Sequence, residues 1–138
     1  MSAKERRQAV LLQHTEVWGG GRLELIPFLY TEDYAGHFPG GYEVKGQKGI
    51  HDMVAGLRLA IPNWRQEVLD LQQRGLRVAT RYRSWGTQTG PFLGIPGHGQ
   101  LINILEASWF RMKGDRIAEQ WAFPDSTLMN QQMTAKPA

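Results

Sequence analysis

From Trp64 to Phe123 the chain reads as a run of strands separated by turn signals. Candidate strands cover 64–72, 76–87, 100–112 and 116–123. Gly75 divides the first two, and Lys113-Gly114-Asp115 marks a tight turn between the last two. Strands joined by turns this short pair antiparallel. The residues before them have helical spacing instead. Val10, Leu11, His14, Val17 and Trp18 share one face of a helix over 4–18, which Gly19-Gly20-Gly21 ends. A second helix over 23–32 presents Leu25, Ile26 and Leu29, with Pro27 in its first turn. Residues 33–48 are glycine-rich and read as a loop with one short strand. A third helix over 47–60 carries Ile50, Met53, Val54 and Leu57, and Pro62 stops it. Helices followed by a run of strands predict an α+β fold, with helices packed on one face of an antiparallel sheet.

At 138 residues the chain is expected to be one domain, 1–138, with a core at about 8–133. It has no cysteine, which removes disulfides, thiol nucleophiles and Cys-based metal centres together and makes the reducing cytoplasm the default compartment. Its apolar runs are far shorter than the ~18 residues of a membrane span, so no membrane partner is expected. Sixteen basic residues against 13 acidic give a net charge of +3, and the Lys and Arg side chains are scattered. Nucleic-acid binders usually concentrate theirs in a stripe, so no nucleic-acid partner is expected. The four histidines have no ligand-pair spacing, and no metal site is predicted.

Two places in the sequence carry chemistry. Alternation along the last strand puts Glu119, Trp121 and Phe123 on one face, with Asp125 in phase. An acid behind two aromatics at the wall of an apolar cavity would have a raised pKa and make a good proton acceptor. The same Asp125 is also a sound N-cap for a helix over 126–133. The second place is the strand 76–87. Its odd positions are Arg77, Ala79, Arg81, Arg83 and Trp85, its even ones Val78, Thr80, Tyr82 and Ser84, and neither set is cleanly apolar. An outward odd set is a hydrated arginine stripe. An inward one needs partners, such as Glu106 or an anionic substrate. Five tryptophans, Trp18, Trp64, Trp85, Trp109 and Trp121, supply aromatic surface for packing or for a flat ligand.

Three segments together resemble the SnoaL-like polyketide cyclases of the wider nuclear-transport-factor-2-like superfamily. They are Glu32-Asp33-Tyr34-Ala35-Gly36-His37-Phe38-Pro39, the glycine-rich stretch from Gly86 to Gly99, and Gly114-Asp115-Arg116-Ile117-Ala118-Glu119-Gln120-Trp121 followed by Asp125 and Gln132. The resemblance covers about Val17 to Met133. It implies a cone-shaped α+β barrel, a curved antiparallel sheet wrapped around N-terminal helices over one deep pocket. It implies Asp125 as general acid/base and His37 facing the same pocket. Arg81, Arg83, Trp85, Ser108, Phe110, Trp121 and Phe123 would line that pocket by strand parity. The implied activity is intramolecular aldol ring closure of a hydrophobic carbonyl substrate, with no cofactor and no metal. Same-fold alternatives are an epoxide hydrolase, a ketosteroid isomerase or a non-catalytic small-molecule binder. The implied assembly is a homodimer through the convex sheet face. The sequence departs from the family pattern at Gln88, Gly97 and His98, where His, Pro and Thr are usual.

Overall fold

The frame of the molecule is a long hairpin-like pair, β4 (Arg77–Gln88) and β5 (Gln100–Lys113), registered from Arg77↔Arg111 to Gln88↔Gln100. In the computed structural model, which describes residues 2–136, β3 (Arg65–Arg74) lies outside β4 and β6 (Arg116–Pro124) outside β5. β1 (Tyr30–Phe38) then pairs parallel with β6, and β2 (Tyr42–Lys45) closes the far edge. The curved sheet has the order β2-β1-β6-β5-β4-β3 and does not close on itself. This is the expected α+β cone architecture.

Helices fill the concave side. α1 (Ala3–Leu12) begins at Ser2, whose hydroxyl accepts from the Glu5 N–H. It runs into a π-helical stretch over Gln13–Trp18, and this widened turn buries Gln13, His14, Val17 and Trp18. Such turns are rare and concentrate where a helix serves a site. After a single helical turn, α2 (Ile26–Leu29), the chain enters β1. α3 (Gly46–Ala60) buries Ile50, Val54, Leu57 and Ala60 at helical spacing. α4 (Ser126–Met133) packs on β5. Among the described residues no helix is long and apolar enough to cross a membrane.

Two element expectations are corrected. The helix expected over 23–32 is a 3-10 turn at Leu23–Leu25 plus α2, and the loop expected over 33–48 is mostly β1 and β2. Locally, Glu32, Asp33 and Gly36 argue against a strand. What makes one is a non-local partner, because β6 pairs with β1 at Tyr30↔Ile117 and again from Ala35↔Glu119 to His37↔Trp121. The register shifts between these stretches, and there Glu32 and Asp33 point to solvent.

Candidate functional site

Residues directly opposite each other on paired strands share a face, so the register decides what lies inside. Tyr82 faces Glu106, Thr80 faces Ser108 and Val78 faces Phe110. Phe110 in turn faces Gln120, and Ser108 faces Ala122. This even-numbered set is the concave face. On β5 it reads Ile102, Ile104, Glu106, Ser108, Phe110 and Met112, a row buried at every position but Glu106, which is half-buried.

Glu106 has the most perturbed carboxyl of the fold. Burial raises its pKa from an ordinary 4.5 to about 7, and a hydrogen bond from Ser84 partly opposes the shift. The Ser84 hydroxyl donates to Oε2 in a very short contact. Oε1 has no protein partner, and it is absent from the fully buried unpartnered atoms, so it retains contact with solvent. One oxygen of this carboxyl is fixed and the other is open.

Neutral donors and acceptors surround it. Tyr82 Oη and Ser108 Oγ are 2.7 Å apart, Gln120 Nε2 donates to Ser108 Oγ at 3.2 Å, and Tyr34 Oη donates to Gln120 Oε1 at 2.9 Å. Tyr34 reaches this far because Gly36 has no side chain: a Cβ there would lie 2.5 Å from the Tyr34 hydroxyl. The π-helical stretch delivers His14, whose ring packs on Tyr82 with centroids 4.2 Å apart. His14 Nδ1 donates to Gln66 Oε1 at 2.8 Å, and Nε2 accepts from Thr80 at 2.9 Å. Burial lowers the His14 pKa from 6.5 to about 4 against a smaller opposing effect of Gln66, so the ring is neutral near pH 7 and Nε2 is the acceptor.

Only part of the site implied by the resemblance lies here. Ser108 and Phe110 are buried on the concave face. Arg81, Arg83, Trp85, Trp121 and Phe123 are on the convex face, which corrects their assignment to the pocket. The reason is pairing. Arg81 faces Ala107, which faces Phe123, so β4 and β6 odd positions cannot share a side with Ser108 and Phe110. Asp125 is exposed, and its Oδ1 accepts from the Leu128 N–H at 3.0 Å, capping α4. It does not stand behind aromatic rings. Asp125→Ala is therefore expected to cost about 1 kcal/mol of stability, and Asp125→Asn almost nothing, as read by urea unfolding.

His37 also lies outside. Its Nδ1 is 2.6 Å from Glu43 and its Nε2 2.6 Å from Glu119, whose other oxygen accepts from Arg111 at 3.1 Å. The bond to Glu43 and then that to Glu119 raise the His37 pKa, and its ring stacks on Trp121 at 5.2 Å. Beside this row Trp109 and Phe123 are 62% and 57% exposed, with ring centroids 6.2 Å apart. The cone interior is largely filled by Tyr30, Tyr34, Tyr82 and Phe110. Two open surface hollows, of about 500 and 530 Å³, are lined by Thr31, Asp33, Lys113 and Arg116 and by His98, Gln100 and Gln132. Neither includes Glu106, His37 or Asp125.

The family model described as SnoaL-like polyketide cyclase matches residues 8–133. Among solved structures, a protein assigned to the SnoaL-like polyketide cyclases from Jannaschia sp. CCS1 superposes with a TM-score of 0.90 at 24% identity, covering 99% of this chain and 98% of its own. IdmH from Streptomyces antibioticus gives 0.81 at 24% identity over 94% and 99% of the two chains. TsrD from Streptomyces laurentii gives 0.86 at 18% identity over 99% of each. No functionally curated protein matches the sequence.

Proposed function

The chain belongs to the SnoaL-like polyketide cyclase family, and from that premise we propose that it closes a ring in a hydrophobic carbonyl substrate by acid/base catalysis, with Glu106 as the proton acceptor. The supporting observation is the Glu106 carboxyl: enclosed by the sheet, fixed through Oε2 by Ser84, open at Oε1, and lifted to about 7. A base tuned near the working pH is half deprotonated and still basic enough to accept a proton. Glu106 removes a proton from carbon between two carbonyls. The resulting enolate attacks a second carbonyl of the same molecule, and a C–C bond forms. The new alkoxide then takes its proton back from Glu106. Tyr82 and Ser108 share one hydrogen bond, which leaves one O–H of the pair to donate to the developing oxyanion. Holding both ends of one molecule together supplies the rest of the rate.

The outward position of Asp125 favours a second reading, a small-molecule binder without turnover. Screening aromatic polyketide esters, ketosteroids and epoxides with wild type and Glu106→Gln separates the two. Turnover that disappears in the variant supports catalysis. No turnover of any class leaves the binder, and equal turnover by both proteins means that Glu106 is not the base.

The convex aromatics support a homodimer. Trp109 and Phe123 are too exposed for a face meant for water alone, and a second copy of the same face would cover them. Sedimentation is expected to give twice 15.7 kDa, and Trp109→Lys is expected to halve that mass. A wild-type mass near 15.7 kDa overturns the dimer.

A further inference from the structure

The concave face of the sheet carries one charged side chain, Glu106. Every Lys and Arg of the strands is elsewhere: Lys45, Arg65, Arg74, Arg77, Arg81, Arg83, Lys113 and Arg116 are exposed, and Arg111 is bound to Glu119 on the convex side. Arg58, on α3, gives its guanidinium to the carbonyls of Trp18, Trp64 and Pro62. The other polar groups near Glu106 are hydroxyls and amides: Ser84, Tyr82, Ser108, Gln120 and Tyr34.

From this arrangement we infer that the concave site selects ligands by charge: it takes uncharged carbonyl compounds and admits a carboxylate only together with a proton on Glu106. The inference rests on the concave face being the ligand site, as proposed above, but not on turnover. An anion there would meet a carboxylate largely withdrawn from water, with no Lys or Arg of the sheet on the same face. A neutral carbonyl meets only hydroxyl and amide groups able to bond it. The titratable groups facing Glu106 are Tyr82 from β4, Tyr30 and Tyr34 from β1, and His14 from the π-helical stretch. Burial pushes all three tyrosines up and the histidine down, so all four stay neutral between about pH 5 and 9. Glu106 is therefore the group whose charge changes over that range.

The test uses two flat probes of matched size, acetylnaphthalene and naphthoate, followed by NMR through the Ile104 and Ala122 methyls on the concave face. At about pH 8.5 naphthoate is expected to bind at least about tenfold more weakly than the ketone, a gap of roughly 1.4 kcal/mol. The gap is expected to narrow towards about pH 5.5, where Glu106 is protonated. In Glu106→Gln, whose amide oxygen can still accept from Ser84, the pH dependence is expected to vanish. Equal binding of both probes by wild type at the higher pH overturns the inference, as does a gap indifferent to pH. Failure of either probe to move those methyls overturns it too. Loss of turnover in Glu106→Gln with no charge discrimination would sink this inference and leave the catalytic reading standing. Discrimination without turnover would do the reverse.

Discussion

Glu106→Gln is expected to reduce turnover by about 10²–10⁴-fold, the usual contribution of a positioned general base, with the fold intact. The substitution keeps size and the acceptor for Ser84 and removes only the ability to hold a proton. In wild type, kcat/KM is expected to rise with pH through about 7, as the Glu106 carboxyl loses its proton in the free protein. That limb should be missing from whatever activity the variant retains. Asp125→Asn is the matching control. Its carboxylate caps α4 in solvent, and asparagine caps as well as aspartate, so activity is expected to remain. If Asp125→Asn abolishes turnover while Glu106→Gln keeps it, the base has been assigned to the wrong acid.

The contrast between these two acids shows how far the sequence could be read. Periodicity located the hairpin of β5 and β6, α3 and the helix after Asp125, because each rests on local alternation or helical spacing. The resemblance identified the family and so the cone. Strand parity, though, says only which residues share a face and not which face turns inward. On β6 the odd set contains Trp121 and Phe123 and looks like a pocket wall, yet Glu119 in the same set is bound to His37 and Arg111 on the outside. On β4 both sets are mixed, and only pairing with β5 settles the matter. The readable signal was on β5. Its even positions are apolar at Ile102, Ile104, Phe110 and Met112, and Glu106 interrupts them. A charged residue in an otherwise buried row stands out more than an acid beside aromatics. β1 and the network through Tyr34, Gln120 and Ser108 were illegible for a different reason: they join residues up to 86 apart in the chain.

The second large effect concerns stability and follows from two opposed burials. His14 has its pKa lowered from 6.5 to about 4, so between those values the unfolded chain binds a proton that the native one does not. That term makes the fold more stable as pH rises, by about 1.4 kcal/mol per unit. Glu106 has its pKa raised from 4.5 to about 7, so the native protein keeps a proton that the unfolded chain has released. That term lowers stability at the same rate as pH rises. From about 4.5 to 6.5 the two slopes cancel, and wild-type unfolding free energy is expected to be nearly flat. Other groups act outside this window. His37, raised by Glu43 and Glu119, loses its contribution above 6.5; Glu119, held down by His37, loses its own below 4.5. Glu106→Gln removes one of the opposed terms. Its stability is expected to climb by about 1.4 kcal/mol per pH unit across the window, and near pH 7 it should exceed wild type by about 2–3 kcal/mol. Urea unfolding at half-unit pH steps reads both curves. Parallel curves would mean that Glu106 ionises as easily inside the fold as outside it, and the chain would have no tuned base. A flat wild type beside a climbing variant would show that the protein gives up stability at neutral pH to keep one carboxyl ready to accept a proton.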